Sequence, residues 1–293
     1  MSDITLLDGG MGQELIHRAG DRPTPLWSTQ VMLEHPGLVS EVHRDFTQAG
    51  ATIATTNTYA IHRDRLVDTD VADRFADLLT MAIAEARTSG AARIAGAIGP
   101  IAASYRPDLH PDADTGAPIY AEIAQMIAPA CDMLLCETVV SVTHAESVLR
   151  GAAAGDKPVW LAVSVDDRDG TKLRSGEPLS AILPYAQAGA AAVLVNCSAP
   201  EAILPALEIL AQAGIPYGAY ANGFEQITEG FLEAKPTVDA LTLRNDFTPD
   251  AYADHAMAWV DQGATIIGGC CEVSPAHIAE IARRLKAAGH TIV

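Results

Sequence analysis

The sequence predicts an α/β protein that folds as a single (β/α)8 TIM barrel, and three of its features support this fold. Short apolar runs alternate with longer helix-like segments from Ile4 to Cys271. Eight of these runs are continuously apolar, which is typical of parallel strands covered by helices. A chain of 293 residues without a linker, charge block or low-complexity stretch suits one barrel better than an open doubly wound sheet. We therefore expect one domain over residues 1–293.

The expected strands are separated by turn residues and helix-like segments. They are Thr5–Asp8, Thr52–Asn57, Arg93–Ile98, Met133–Glu137, Val159–Val165, Ala192–Cys197, Tyr217–Asn222 and Thr265–Cys270. Long loops are expected after the first, third and seventh strands. They are Gly9–Glu34, Pro100–Ala117 and Gly223–Phe247.

Helix boundaries can be placed from their capping residues. Glycine favours a left-handed C-terminal cap, and the candidates are Gly50, Gly155, Gly189, Gly214 and Gly263. Proline at the first helical position favours N-caps at the preceding residues, Thr248 and Ser274. Thr143 and Glu146 have the spacing of a capping box.

Composition excludes some classes of function. A hydrophobic content of 49% with 23 glycines indicates a globular protein with a large core. Lysine and arginine number 19 against 37 acidic residues, for a net charge of −18, which argues against a nucleic-acid partner because phosphate contacts need cations. No apolar run approaches the ~18 residues of a membrane helix, and the first ten residues lack the pattern of a signal peptide. We expect a cytoplasmic protein with reduced cysteines and no membrane partner; its oligomeric state stays open.

Three of the five cysteines stand at the ends of expected strands. Cys270 and Cys271 follow Gly268 and Gly269, and two thiolates on a bend relaxed by glycine can reach one ion, whereas neighbouring cysteines rarely suit a disulfide with each other. Buried core cysteines are the alternative for this doublet. Cys197, at the end of another strand, favours a metal site. Zinc is the expected ion, because thiolates suit it and a catalytic zinc keeps three protein ligands and one open position.

Polar residues recur at the carboxyl ends of the other strands, where barrel enzymes carry their active sites. Burying Glu137 unpaired would be costly, so we expect it either to meet a cationic group of a ligand or to be paired within the protein, and a ligand ammonium group is the preferred partner. Asp8 either caps a turn or contributes to the same site. Asn57 and Asn222 are candidates for substrate binding or for loop closure, and Tyr105 and Arg106 are candidates to face a substrate carboxylate.

Five segments carry a resemblance to a known family. They are Asp8-Gly-Gly-Met-Gly, Ala54-Thr-Thr-Asn-Thr-Tyr59, Leu135-Cys-Glu-Thr138, Val195-Asn-Cys-Ser198 and Gly268-Gly-Cys-Cys271. Read in this order, they resemble the homocysteine S-methyltransferase family over about Leu6 to Leu285. The resemblance implies a barrel enzyme that holds zinc on Cys197, Cys270 and Cys271 and binds homocysteine with Asp8 and Glu137.

The resemblance also implies a reaction, which is methyl transfer to the homocysteine thiol to form methionine. The compact chain looks like the members that use S-methylmethionine or S-adenosylmethionine. Betaine or another onium donor, and another thiol or selenol acceptor, are alternatives. The chain departs from the family pattern at Glu272-Val273, where Gly-Thr is frequent, and at Gly223-Phe224, where Ser-Gly is common. These departures motivate a third hypothesis, a zinc-binding barrel without turnover.

Overall fold

The computed structural model describes residues 2–20, 26–225, 227 and 242–293. In this part of the chain a sheet of nine parallel strands has the order β2-β3-β4-β5-β6-β7-β8-β1-β9. The strands are β1 (Asp3–Leu6), β2 (Ile53–Thr55), β3 (Arg93–Ile98), β4 (Met133–Val139), β5 (Val159–Val163), β6 (Ala192–Asn196), β7 (Tyr217–Tyr220), β8 (Ile266–Ile267) and β9 (Thr291–Ile292).

The helices alternate with these strands along the chain. They are α1 (Met11–Ala19), α2 (Ser28–Glu34), α3 (Leu38–Ala49), α4 (Arg63–Leu66), α5 (Phe75–Arg87), α6 (Ala113–Ile127), α7 (Val142–Ala152), α8 (Leu183–Gly189), α9 (Pro200–Leu210), α10 (Pro249–Asp261) and α11 (Pro275–Ala287). None of the helices in the described part of the chain is both long and apolar enough to cross a bilayer.

Hydrogen bonds at β1 close the sheet into a barrel. On one side Thr5 of β1 pairs with Ile266 of β8. On the other side the amide of Thr52, just before β2, donates to the Leu6 carbonyl oxygen at 2.8 Å. The strand β9 is an addition to the eight expected strands, and it pairs with the first residues of β1. The predicted (β/α)8 barrel is therefore confirmed.

The strands are apolar throughout because both of their faces are buried. In β4, Met133 and Leu135 pack in the cluster that fills the barrel, whereas Leu134 and Cys136 pack in the layer between the sheet and the helices. Cys131 also lies in this outer layer. Strand side chains alternate between faces, so the residue two positions after Leu135, Glu137, continues the inner face at the carboxyl end of β4.

The capping predictions are confirmed at most positions. Gly50, Gly214 and Gly263 have left-handed φ angles of 119°, 70° and 101°. The Thr248 hydroxyl accepts from the Ala251 amide, and Ser274 forms a capping box with His277. Part of loop seven, residue 226 and residues 228–241, lies outside the described residues.

Three capping predictions were wrong. The left-handed residue near Gly155 is Asp156, with φ 52°. The chain leaves α8 through an extended residue, Ala190, so Gly189 needs no left-handed angle. The N-cap of α7 is Ser141, which accepts from the His144 amide, and Thr143 lies inside the helix. Each error places the boundary a few residues away, where a neighbouring side chain or backbone bond satisfies the helix end.

Candidate metal and substrate site

A cavity of about 300 Å³ lies at the carboxyl ends of the barrel strands. Six of the site residues proposed from the sequence line it. They are Asp8, Asn57, Glu137, Cys197, Cys270 and Cys271. Their side chains come from five different strand ends or the loops that follow them, so the cavity exists only in the folded barrel.

The three strand-end cysteines meet in one corner of this cavity. The sulfur atoms of Cys197, Cys270 and Cys271 all lie within 4.8 Å of one another. In the structure Cys197 and Cys270 are joined as a disulfide, and Cys271 is free. Metal binding would use the reduced form, because the thiolate is the ligand. Three thiols so close together fit a soft metal ion such as zinc.

The two glycines before the doublet serve close packing. A Cβ on Gly268 would lie 2.5 Å from the Leu7 Cβ, and one on Gly269 would lie 2.0 Å from a methyl group of Val273. Neither glycine has a positive φ; the left-handed residue of this bend is Glu272, with φ 68°. The expectation that glycine relaxes the bend was therefore wrong, because Gly268 instead lets the chain after β8 lie close to Leu7, and Gly269 leaves room for Val273.

An apolar cover lies over the thiols. Tyr105 and Phe224 pack with Cys197 in one cluster, and Ile227 packs against it. This burial raises the pKa of the Cys271 thiol to about 12, with smaller contributions from the negative charges of Glu272 and Glu137. A thiol in this environment stays protonated at neutral pH unless a cation such as a metal ion is bound beside it.

Asp8 lies at the carboxyl end of β1, with its carboxylate held against β2. Its two oxygens accept hydrogen bonds of 2.6 Å from the amide and the hydroxyl group of Thr55. Only 3% of Asp8 is exposed, and this burial raises its pKa to about 7 in spite of the two bonds. Asp8 therefore lacks a cationic partner within the described part of the chain.

Glu137 is the second carboxyl group of the cavity. The Tyr220 hydroxyl donates to its Oε1 atom at 2.9 Å. Burial raises the pKa of Glu137 to about 8, and the nearby charge of Asp8 adds to this effect. Two carboxyl groups that disfavour each other's charge in one cavity make a site for a cation, because a bound ammonium group would stabilise both carboxylates.

A pair of buried side chains holds Glu137 and Cys197 in place. The Asn196 Oδ1 atom accepts from the Thr138 amide at 3.0 Å, and its Nδ2 group donates to the Thr138 hydroxyl at 3.2 Å. Thr138 and Cys197 have φ angles of 58° and 47°, which are uncommon for residues with side chains. Asn196, which precedes Cys197, is thus hydrogen-bonded to Thr138, which follows Glu137.

Replacing Asn196 with alanine is expected to lower the free energy of unfolding by about 2–3 kcal/mol, because the buried Thr138 amide would lose its partner. Urea unfolding of the reduced protein would measure this change. Asn222→Ala is the control, since the Asn222 side chain makes one hydrogen bond to the residues that the structure describes, and a smaller loss of stability is expected. Equal losses in the two variants would contradict the assignment.

A buried ion pair between Arg174 and Asp167 contacts the backbone at Cys197. Arg174 lies 2.8 Å from Asp167, and both side chains are about nine-tenths buried. The Arg174 Nη2 group also donates to the Cys197 carbonyl oxygen at 3.0 Å, and the guanidinium stacks over the Tyr105 ring. This pair fixes the backbone of the first cysteine relative to the third loop.

The other polar candidates have mainly structural contacts. Asn222 does not line the cavity, and its Oδ1 atom accepts from the Phe224 amide. Asn57 lines the cavity and also donates to the Ser28 carbonyl oxygen at 3.3 Å. Arg106 pairs with Asp108 at 2.6 Å and is not among the lining residues. Asn222 and Arg106 are therefore not retained as ligand-binding residues.

Aromatic side chains form the remaining wall. Trp27 and Tyr59 meet edge to face with ring centroids 6.1 Å apart, and Tyr105 also lines the cavity. Gln13 accepts from the Trp27 indole at 3.1 Å and donates to Glu272 at 2.6 Å. The residue that departs from the family pattern, Glu272, thus helps to hold the aromatic wall.

Sequence reasoning missed several residues of this site. Thr55, Tyr59, Thr138 and Asn196 stand inside the quoted segments, so their proximity to strand ends was the available signal. Tyr220 ends β7 and could have been found by the same rule. Trp27 and Arg65 lie in loops, where no strand end indicates their direction.

The cavity lies at the carboxyl ends of the strands, where barrel enzymes carry their active sites. The fold and the cavity therefore place the protein in the class of barrel enzymes, with three clustered cysteines in the active-site position. The family model described as homocysteine S-methyltransferase matches residues 5–285. The chain therefore belongs to the homocysteine S-methyltransferase family and is a methyltransferase.

Individual relatives agree with this assignment. A homocysteine S-methyltransferase of Escherichia coli is 29% identical, with 96% of this chain and 95% of that protein covered. Homocysteine S-methyltransferase YbgG of Bacillus subtilis is 27% identical, with 95% and 93% covered. The crystal structure of the homocysteine methyltransferase MmuM from Escherichia coli in its metallated form has a TM-score of 0.77 at 27% identity and covers 97% of this chain and 96% of its own.

Proposed function

We propose that the protein transfers a methyl group from a sulfonium donor, S-methylmethionine or S-adenosylmethionine, to the thiol of homocysteine, with zinc held by Cys197, Cys270 and Cys271. The observation that carries the proposal is the meeting in one cavity of three thiols and two carboxyl groups that have no cationic partner among the described residues. Homocysteine has a thiol and an ammonium group on one short chain, so it can match both groups at once. Reduced cysteines suit the cytoplasm, where we place the protein.

Asp8 and Glu137 would bind the ammonium group of homocysteine. Neither has a cationic partner among the described residues, and the pKa of each is raised by burial. Binding an ammonium group would replace the water lost on burial with an opposite charge. The two carboxylates would thereby orient the homocysteine sulfur toward the cysteines and away from solvent, which supplies the orientation that a bimolecular transfer needs.

The three cysteines fit zinc because their sulfur atoms lie within 4.8 Å of one another and thiolates are ligands that zinc prefers. When bound, zinc supplies a Lewis-acid position at which the acceptor thiol can stay deprotonated near neutral pH. The cover of Tyr105 and Phe224 would keep bulk water away from the acceptor sulfur.

The transfer balances without a protein base. The thiol proton of homocysteine leaves to solvent on binding, and the sulfur then uses a lone pair to form a bond to the donor's methyl carbon. The bond between that carbon and the donor's sulfonium sulfur breaks, and its electron pair returns to the sulfur, which becomes a neutral thioether. Trp27 and Tyr59 line the cavity, and their rings would make a favourable contact with the onium charge of a cationic donor.

Homocysteine binding is expected to strengthen with pH between about pH 6 and pH 8.5. At the lower pH both carboxyl groups are largely protonated, because their pKa values are raised to about 7 and about 8, and a neutral carboxyl group attracts an ammonium poorly. Affinity should rise by roughly tenfold or more over this range. Calorimetric titrations in buffers of different ionisation enthalpy would also detect proton release near pH 7. A flat profile would contradict the paired-carboxylate site.

The function is tested by methionine formation from homocysteine by the reduced, zinc-loaded protein. S-methylmethionine, S-adenosylmethionine, betaine and dimethylsulfoniopropionate are offered separately, with a chelator-treated control. We expect zinc-dependent product with a sulfonium donor. Product with betaine alone would select the alternative donor class. Zinc and homocysteine binding without product from any donor would favour the non-catalytic barrel.

A further inference from the structure

Arg65 is the one cationic side chain among the described residues that line the cavity. It belongs to the short helix α4, in the loop after β2. Its guanidinium carbon lies 5.7 Å from the centroid of the Tyr59 ring, and its Nη2 group donates to the Pro100 carbonyl oxygen at 3.3 Å. The charge of Arg65 is therefore at the aromatic wall of the cavity.

Hydrogen bonding leaves part of this guanidinium unused. The Nε–H of Arg65 is buried and has no partner among the described residues. A buried donor without a partner has lost its hydrogen bond to water, and this loss is larger for a charged group than for a neutral one. The neighbouring acid is already engaged, because Asp64 accepts from the Ala102 amide at 2.7 Å. No carboxylate in the described part of the chain forms an ion pair with Arg65.

The other arginines nearby differ in this respect. Arg63, two residues earlier, pairs with Glu122 at 2.6 Å on the outer surface. Arg174 pairs with the buried Asp167 at 2.8 Å. In a chain with 37 acidic and 19 basic residues, an arginine that faces a cavity without an acidic partner is available to an external anion.

We propose that Arg65 binds the carboxylate of the methyl donor and makes the enzyme selective for onium donors that carry one. This inference rests on the proposed function, and it concerns the donor half of the same cavity. A guanidinium presents its N–H groups in a planar fork that matches a carboxylate, so two of its nitrogens can donate parallel hydrogen bonds to one carboxylate.

Charge balance favours the donor over the acceptor as the ligand of Arg65. The ammonium and thiol groups of homocysteine would occupy the strand-end side of the cavity, at Asp8, Glu137 and the cysteines. The donor's onium charge would pack at Trp27 and Tyr59, and Arg65 stands over the same Tyr59 ring. The Arg65 guanidinium and the donor's onium group would repel each other at the same ring. A carboxylate on the donor that lies between them would offset this repulsion.

The test compares S-methylmethionine, which has a carboxylate, with trimethylsulfonium, which has none. The ratio of kcat/KM for the two donors is measured in wild type, Arg65→Met, Arg65→Lys and the control Arg63→Met. We expect Arg65→Met to lower this ratio by about tenfold to hundredfold, mainly through KM for S-methylmethionine. Arg65→Lys should recover part of it, since the charge returns without the fork. Arg63→Met should leave the ratio within about twofold.

A second arm identifies which ligand supplies the carboxylate. Homocysteine is replaced by 3-mercaptopropylamine, which keeps the thiol and the ammonium and lacks the carboxylate. Suppose that Arg65→Met lowers kcat/KM with homocysteine even when trimethylsulfonium is the donor, but does not lower kcat/KM with 3-mercaptopropylamine. Arg65 then binds the acceptor, and the inference is overturned. An unchanged donor ratio in Arg65→Met also overturns it.

Equilibrium binding separates this inference from the proposed function. Calorimetry of S-methylmethionine with the reduced, zinc-loaded protein requires no turnover. One outcome is that wild type binds this donor at least tenfold more tightly than Arg65→Met but forms no methionine. This outcome would support the Arg65 site and contradict the reaction. Turnover with equal donor affinity in both proteins would support the reaction and contradict the Arg65 site. Absence of donor binding to wild type would count against the site as well.

Discussion

Replacing Cys270 with alanine is expected to abolish zinc binding and to lower methionine formation by on the order of a thousandfold. The thiol of Cys270 lies within 4.8 Å of those of Cys197 and Cys271, and two thiols alone make a weak site. Metal content after reduction and dialysis would be measured beside turnover. One retained zinc per chain with near-normal turnover would contradict the proposed site.

Two further variants separate a metal site from a structural disulfide. Cys271→Ala leaves the Cys197–Cys270 pair intact, so a protein that needs only the disulfide would tolerate it. The metal site predicts that this variant also loses zinc and activity. Cys131→Ala is the matched control, because Cys131 is buried in the outer layer away from the cavity. It should keep its zinc and lose only about 1 kcal/mol of stability.

Replacing Glu137 with glutamine is expected to raise KM for homocysteine by roughly tenfold to hundredfold, with a smaller change in kcat. The reason is the loss of a charge-assisted hydrogen bond to the ammonium group, which contributes about 1.5–3 kcal/mol. Glutamine keeps an oxygen that can accept from the Tyr220 hydroxyl, so the local geometry should persist. Steady-state kinetics with homocysteine as the varied substrate would measure the effect.

The melting temperature of Glu137→Gln distinguishes a role in ligand binding from a structural role of Glu137. The pKa of Glu137 is raised to about 8, so its ionisation destabilises the ligand-free fold as pH rises from the unfolded value toward 8. Glu137→Gln should therefore be at least as stable as wild type at pH 8 without homocysteine. Glu146→Gln, on the exposed side of α7, should change neither KM nor stability appreciably. A large drop in the melting temperature of Glu137→Gln would indicate a structural role instead.

The strand-end residues could be predicted because parallel strands carry their carboxyl ends to one side of the barrel. This rule needs only the strand order along the chain, and it brought Asp8, Glu137 and Cys197 into one cavity. For Asn222 the sequence left substrate binding and loop closure open, and its side chain turns back to accept from the Phe224 amide. The direction of a residue just past a strand depends on local turn geometry, which a pattern of apolar residues does not contain.

Loop residues were harder to predict. The sequence suggested Arg106 as a carboxylate partner, yet Arg106 pairs with Asp108 and Arg65 faces the cavity. Both arginines lie in polar loops with acidic neighbours, and nothing in their spacing distinguishes them. The difference arises because the Arg65 side chain lies over the Tyr59 ring and donates to the Pro100 carbonyl oxygen, a contact with a different loop of the barrel.

The sequence by itself determined the barrel, the strand ends and the choice of three cysteines. Parallel strands buried on both faces leave continuous apolar runs in the sequence, and cysteine is rare enough for three at strand ends to be noticed. Only the tertiary structure decided which groups share a cavity and which are already paired. Within the described residues it gives Asp8 and Glu137 no cationic partner, places Asn196 against Thr138, and turns Arg65 toward the aromatic wall. The physical reason is that a side chain's charge state and free hydrogen-bond donors depend on its neighbours in space, which chain order does not specify.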